Sequence, residues 1–465
     1  MSNMFYNTNQ TGIYNQQLTR KWSPPTNVDL TNMFYGQPNI KSYYRINDTP
    51  LYRNFAPNIF NDSDIQTGVD DWVNDPAYAE ILYGAHISDW NTSEVTNMSS
   101  LFKDKTTFNE DISKWNTSNV TNMSNMFYRA TIFNKNINTK SVTVGTNTYL
   151  AWDISNVTSL SYMFYNTNNF NYDISKWNTS NVTNMNNIFD NATEFNQNIN
   201  TTYVTVGQTS YIAWDVSNVT TMENIFSSAS DFSTSISNWN TSNVITMKRM
   251  FRYMNGLNTN SINTSVKTIN GNTYLAWDTS NVTDFSSMFD HNDFSSNISN
   301  WNTSSAINMS NMFDGAENFN TNISKKTVTL NNNSYVAWKT TNVTTMYRMF
   351  YTCNTFNRDI SNWDVSNVDT FLDMFYNNSV FNQPILAWNP KPGSNLTNMF
   401  YGLTNFKTMY GINSTPIHSD FGIFYCNDIN IQTSVNNWIS DKTTTEADFD
   451  NISLWNTKFV TNMSN

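Results

Sequence analysis

The chain has 465 residues, 36 acidic against 25 basic side chains and a formal net charge of −11. That length suggests about three ordinary domains, and the scattered lysines and arginines leave no basic stripe of the kind a nucleic-acid groove needs. Only 13% of residues are charged while 15% are aromatic, and the aromatics recur in register, which disordered chains lack.

The N-terminal segment Met1-Ser-Asn-Met-Phe-Tyr has no basic region followed by an apolar one, so it does not read as a secretion signal. No apolar run approaches the roughly 20 residues of a membrane span. The two cysteines, Cys353 and Cys426, form no metal-type spacing and no disulfide framework.

Along the chain one phrase returns. It reads Trp115-Asn-Thr-Ser-Asn-Val-Thr-Asn-Met123 and runs on through Met126-Phe127-Tyr128; it recurs around Trp90, Trp177, Trp239, Trp301, Trp363 and Trp455, with a variant around Trp152, Trp214, Trp277 and Trp338. Trp90 to Trp115 is 25 residues and Trp115 to Trp152 is 37, and short and long units alternate in this way as far as Trp338. Units this short cannot bury a core alone and must stack on their neighbours, so a solenoid is expected. Each coil has apolar seats such as Phe108, Ile112, Trp115, Val120, Met123, Met126 and Phe127. Ile112 to Trp115 reads as a short extended edge and Asn116 to Asn119 as a turn. The i, i+3, i+4 spacing of Met123, Met126 and Phe127 reads as one helical turn. The fold class is therefore mainly β with short helical turns, a leucine-rich-repeat-like solenoid. Asn119, Asn156 and Asn181 also fit a glycosylation acceptor pattern, but their place in the phrase favours side-chain ladders between coils.

The long units carry inserts of about 12 residues before the Trp. Two β-prone runs flank a Gly/Asn tip in each, which is a hairpin signature. The tips are Gly145-Thr146-Asn147, Gly207-Gln208-Thr209, Asn270-Gly271-Asn272 and Asn331-Asn332-Asn333. Two coils spaced at about 4.8 Å occupy the width of one hairpin, so the four hairpins are expected to tile a continuous antiparallel sheet.

A larger period is also present. Met33-Phe-Tyr-Gly36 matches Met399-Phe-Tyr-Gly402 at an offset of 366 residues, and Ile65-Gln-Thr67 and Trp72 match Ile431-Gln-Thr433 and Trp438. Ile65, Val69, Trp72 and Val73 define an amphipathic helix over about 63–75 with Ser63 or Asp64 as N-cap; its counterpart covers about 429–440. The expected organisation is 1–60 as the end of one array, 61–426 as a complete array with its capping helix, and 427–465 as the start of the next. The chain begins and stops at the same point of the repeat, so it reads as a window on a longer tandem polymer or as a protomer stacking head to tail.

The phrase Trp-Asn/Asp-Thr/Val-Ser-Asn-Val-Thr-Asn-Met-x-x-Met-Phe, with Phe-Asn-x-x-Ile-Ser before the next Trp, resembles the BspA-like surface-protein repeats, also called mycoplasma lipoprotein-associated or PARCEL repeats. Phe170-Asn171, Ile174-Ser175 and Trp177 through Met185 carry the resemblance most closely. It implies a leucine-rich-repeat-like solenoid on a cell or virion surface, with adhesion or host interaction as its role. The hairpin inserts depart from it, and no lipid-attachment cysteine is visible.

No phosphate loop, zinc-protease helix or nucleophile elbow is present. His86, His291 and His418 are far apart and read as ordinary turn or surface residues. Asp111 and Asp173 share a seat two coils apart, too far for an acid pair or a calcium site. No catalytic, metal or cofactor site is expected. Alternating spacing also excludes a WD-type propeller, whose blades need four strands each. Tyr128, Tyr165, Tyr351, Tyr376 and Tyr401 follow the Met-Phe pair and are expected to form a partly exposed stripe, either as core rim or as a track for a sugar or protein. The expected function is a non-enzymatic extracellular, cell-surface or virion-surface adhesive, its binding residues at the hairpin tips or the tyrosine stripe. The alternative is a structural fibre. Expected partners are the chain itself or a host protein or glycan, with no nucleic acid and no membrane span.

Overall fold

The computed structural model describes residues 59–254, 262–293, 295–422, 425–427, 431–440, 442 and 456–459. Residues 1–58, and with them the expected end of a preceding array, lie outside the described residues. The contacts divide the chain into two compact units: Met1–Asn181 with Val204–Ala213, and Val182–Tyr203 with Trp214–Asn465. Among the described residues the architecture is a set of repeated units rich in turns and β-hairpins, with few helices and no closed barrel.

In the first unit, strand β1 (Ile59–Asn61) pairs in parallel with β2 (Asn91–Glu94). Between them lie helices α1 (Ile65–Asn74) and α2 (Pro76–Tyr83). Helix α1 stands where periodicity placed it, and its Ile65, Val69 and Trp72 are buried. Asp64 holds the N-cap position, but its carboxylate accepts from Asn61 N–H behind the helix at 2.9 Å and bonds no helical N–H. Sequence reading missed α2. Its signals are Pro76 at the first turn, Asp75 accepting from Tyr78 N at 3.0 Å, and left-handed Gly84 at its end. Helix α1 covers the first tryptophan of the repeats: Phe60 stacks on Trp90 at 4.3 Å and Trp72 meets it edge-on at 6.0 Å.

The repeats are held by one recurring pair of bonds. Ile112 C=O accepts the backbone N–H of Trp115 at 3.1 Å and the indole Nε1–H of Trp152, one coil later, at 2.9 Å. The segment expected to be an extended edge is therefore a turn, because Ile112 bonds back to Trp115 and not sideways as a strand would. In the second unit the indoles of Trp239, Trp277, Trp301, Trp338, Trp363 and Trp388 likewise donate to isoleucine carbonyls of the preceding coil. Their rings stack in a row, as with Trp277 and Trp301 at 6.3 Å and Trp301 and Trp338 at 6.5 Å, within 8° of parallel.

The expected helical turn is also absent. Asn125 and Arg129 take left-handed φ values of 59° and 55°, which breaks any helix. Met123, Asn125, Phe127 and Arg129 donate their N–H groups to Ser159, Ser161, Met163 and Tyr165 of the next coil, while Met126, Tyr128 and Ala130 bond back three residues within their own. Spacing of i, i+3, i+4 puts apolar groups on one side in both arrangements, so periodicity could not separate them. Between coils, true β pairing shrinks to single-residue parallel bridges such as Asn97 to Asn122 to Ser159 and Thr246 to Asp284 to Asn308. The amides of Asn119, Asn156 and Asn181 donate to Ser93, Ser118 and Ser155 carbonyls of the preceding coil at 2.7–2.8 Å.

The second unit ends its repeats under helix α3 (Thr404–Tyr410), which the sequence reading also missed. Phe406 and Tyr410 are buried, and Phe406 packs 4.8 Å from Phe400. Beyond it, β11 (Tyr425–Asn427) pairs in parallel with β12 (Asn456–Phe459) on either side of α4 (Ile431–Ser440). This repeats the β1–α1–β2 arrangement about 366 residues on.

Two outcomes test this account. Trp301→Phe keeps a stacking six-membered ring but removes the five-membered ring that carries the donor to the buried Ile262 carbonyl. The urea-unfolding free energy should fall by about 1–3 kcal/mol, against about 3–5 kcal/mol for Trp301→Ala; an unchanged midpoint for the Phe variant would mean stacking alone holds the row. Gly68→Ala in α1 should destabilise by about 1–3 kcal/mol although alanine normally favours helices. Its Cβ would stand 2.5 Å from Phe60 Cε1 and 3.3 Å from Trp90 Cη2, and a raised melting temperature would refute the packing.

Candidate binding surface

Each hairpin insert forms as the turn chemistry requires. The strands are β3 (Lys140–Val144) with β4 (Asn147–Ala151), β5 (Thr202–Val206) with β6 (Thr209–Ala213), β7 (Ser265–Ile269) with β8 (Asn272–Ala276), and β9 (Lys326–Leu330) with β10 (Asn333–Ala337). Gly145 and Gly207 supply the positive φ at the first turn residue. Asn270-Gly271 and Asn331-Asn332 supply it at both, the two-residue turns that match strand twist.

The hairpins do not fuse into the continuous sheet expected from coil spacing. Each is a separate two-stranded sheet, because each is tied individually to the coil beneath it. Tyr149 donates its hydroxyl to Lys114 C=O at 2.6 Å, and Tyr211, Tyr274 and Tyr335 do the same to Lys176, Asn238 and Asn300 at 2.5 Å. Every acceptor is the residue immediately before a core tryptophan. Burial pushes the phenols of Tyr211, Tyr274 and Tyr335 up to about 12, so they remain donors. Thr139 and Thr264 fasten the hairpin base through hydroxyl bonds to Trp152 and Trp277 carbonyls at 2.7 Å. Neighbouring hairpins of the first unit meet through side chains: a Cβ on Gly207 would lie 3.4 Å from Ser141 Cβ.

All twelve tip residues, Gly145, Thr146, Asn147, Gly207, Gln208, Thr209, Asn270, Gly271, Asn272, Asn331, Asn332 and Asn333, are exposed. Asn147 also lines a cavity of about 320 Å³ between the first hairpin and the coil of Trp90, together with Asp89, Lys114, Val144 and Tyr149. Lys114 and Asp89 form an ion pair across it at 2.8 Å. Val144 on this open side is 55% exposed, whereas the equivalent Val206 is 5%.

The tyrosine stripe divides into two stacks. In the first unit Tyr128 and Tyr165 lie 4.7 Å apart and within 10° of parallel, with Lys103 and Arg129 over the Tyr128 ring. In the second unit Tyr351, Tyr376 and Tyr401 stack at 4.8 and 4.4 Å, with Arg348 4.2 Å from the Tyr351 ring centre. Asp190, Ser227, Arg252, Asp290 and Asp314 hold the same seat in other coils of that unit. Burial pushes the Asp190 carboxyl up to about 6 despite its bond to Ser227. The equivalent-seat aspartates Asp111, Asp173 and Asp359 are occupied locally, each accepting from the N–H two residues on at 2.8–2.9 Å.

Among the described residues no helix is long and apolar enough to cross a membrane. No curated protein and no solved structure matches the chain. A family model described as "Mycoplasma protein of unknown function, DUF285" matches residues 77–149, 141–264, 261–333 and 325–438 in tandem, which spans the phrase, the hairpins and both tyrosine stacks. By that match the chain belongs to this family of Mycoplasma-type repeat proteins.

Proposed function

We propose that the repeats wind into a leucine-rich-repeat-like solenoid of the BspA-like kind, and that the chain acts as a non-enzymatic adhesive surface outside the cell or on a virion. The observation that carries this reading is the set of hairpins, present in both units. Four rigidly anchored hairpins hold twelve exposed tip residues, a repeated, preorganised array in which many weak contacts add through avidity. Its partner on this reading is a host surface protein or glycan, with the tyrosine stacks as a second track for flat apolar faces.

A structural fibre is the second reading. It is favoured by the recurrence of the β1–α1–β2 arrangement in β11–α4–β12, which suits tandem arrays stacked end to end.

Binding of the purified chain to host-cell layers and to a glycan array separates the two. Replacing Thr146, Asn147, Gln208, Thr209, Asn272 and Asn333 together by alanine should cut retention about tenfold, what ~1.4 kcal/mol of lost contact energy produces. Retention indistinguishable between the variant and the parent chain would remove the hairpin tips from the adhesive reading. Rods that lengthen with concentration under the electron microscope, with no retention on cells, would favour the fibre.

A further inference from the structure

The seat that follows Phe289 and Phe313 is occupied in two successive coils by aspartate, Asp290 and Asp314. Tyr376 and Tyr401 stand in the same relation, with ring centres 4.4 Å apart. The repeat therefore forces two carboxylates together that like-charge repulsion would otherwise separate. His291 joins them. Its Nδ1 lies 2.5 Å from Asp290 Oδ1, and one donor atom from each of Asp290, His291 and Asp314 lies within 4.8 Å of the other two. Sequence alone reads His291 as an ordinary turn or surface residue; the coil register places it beside two acids.

The surroundings are shaped for this group. Gly315 occupies the seat of His291 one coil later, with φ +64°, and a Cβ there would stand 3.0–3.1 Å from the imidazole Cδ2, Cγ and Nδ1. Glycine leaves the space in which the ring lies. Arg252 Nε donates to Asp290 Oδ2 at 2.8 Å, which fixes that carboxylate and turns Oδ1 toward His291. Asp314 is only 7% exposed, and its carboxylate has no hydrogen bond or ion pair within 4 Å among the described residues. A carboxylate held beside a second one favours nearby positive charge; His291, Arg348 and Arg252 supply part of it, and buried charges of this kind are paired or coordinate metals.

We propose that Asp290, His291 and Asp314 bind one divalent transition cation of the zinc class, with water completing its coordination. One imidazole nitrogen and two carboxylate oxygens suit Zn²⁺, Mn²⁺ or Fe²⁺, whereas calcium takes oxygen ligands. Donors at about 2.0–2.2 Å from zinc in tetrahedral geometry stand roughly 3.4 Å apart, so Asp314 closes in slightly while His291 and Asp290 part slightly. For the cation to take Nδ1, the neutral imidazole carries its single hydrogen on the exposed Nε2, so that Nδ1 and Asp290 Oδ1 both face the ion with unshared pairs. The half-exposed side chain of His291, 54% accessible, provides the path in. Bound there, the ion links two adjacent coils through their side chains.

The test uses the full chain stripped of metal with a chelator, then titrated with zinc chloride in a calorimeter and with Co²⁺ followed by visible absorption. One equivalent should bind saturably, and Asp314→Asn should weaken binding at least tenfold. His291→Ala, on the exposed side and outside the core, should do the same even if the buried variant folds poorly. Asp104→Asn, an exposed carboxylate elsewhere, should leave binding unchanged. The proposal fails if zinc shows no saturable binding below millimolar concentration. It fails equally if His291→Ala binds as tightly as the parent chain.

Discussion

The bond from the repeats' tryptophan indoles, Trp115 and Trp152 in the first unit and Trp239 through Trp388 in the second, to an isoleucine carbonyl of the preceding coil is what the remaining structure depends on. It fixes rotation, because only one ring orientation lets Nε1 reach that oxygen, and it fixes register in alternate coils, where the carbonyls of Ile112, Ile236, Ile298 and Ile360 also accept their own turn's N–H. With tryptophans locked, the phenylalanines behind them stack in step, as Phe226 does on Phe251 at 5.8 Å and Phe289 on Phe313 at 5.7 Å. The buried threonines then find carbonyls in the next coil, as Thr241 does at Asp278 and Thr303 at Lys339. Polar residues can be this abundant because register gives their amides and hydroxyls fixed partners.

The same register explains how the surface is made. A residue type repeated at one seat becomes a column, so Tyr351, Tyr376 and Tyr401 become a stack without any design beyond the repeat. A hairpin inserted at one seat stands over the residue before a core tryptophan, and its own tyrosine ties it down there. A change of residue type along a column is a change of chemistry along the surface. The run from Arg252 through Asp290 and Asp314 to Tyr351 is such a change.

The period, the hairpins and the helices at 65–74 and 431–440 were legible because their signals are local: tryptophan spacing, Gly/Asn tips, and an i, i+4, i+7 stripe. The backbone of the Met-Phe segment was not, because left-handed residues there are Asn, Arg, Tyr, Ser, Asp, Thr, His and Gly and carry no common signature. Helix α3 was hidden by the lack of a clear N-cap, since Leu403 holds that position without a side-chain bond. The meeting of Asp290 with Asp314 was hidden differently. Met288-Phe289-Asp290 and Met312-Phe313-Asp314 do share a phase, but only knowledge that consecutive coils touch at that seat turns the phase into proximity.

The alternation of left-handed residues has a consequence for how such a chain comes into being. Each non-glycine residue in that conformation costs about 1–2 kcal/mol, and the bonds that repay it run from Asn125 and Arg129 to Ser161 and Tyr165, in the coil made later. A coil emerging from the ribosome thus has its own three-residue turns and its bonds to the coil before it, but not the bonds that offset its left-handed residues. Order must trail synthesis by one repeat, with the newest coil always a loose template that the next one sets.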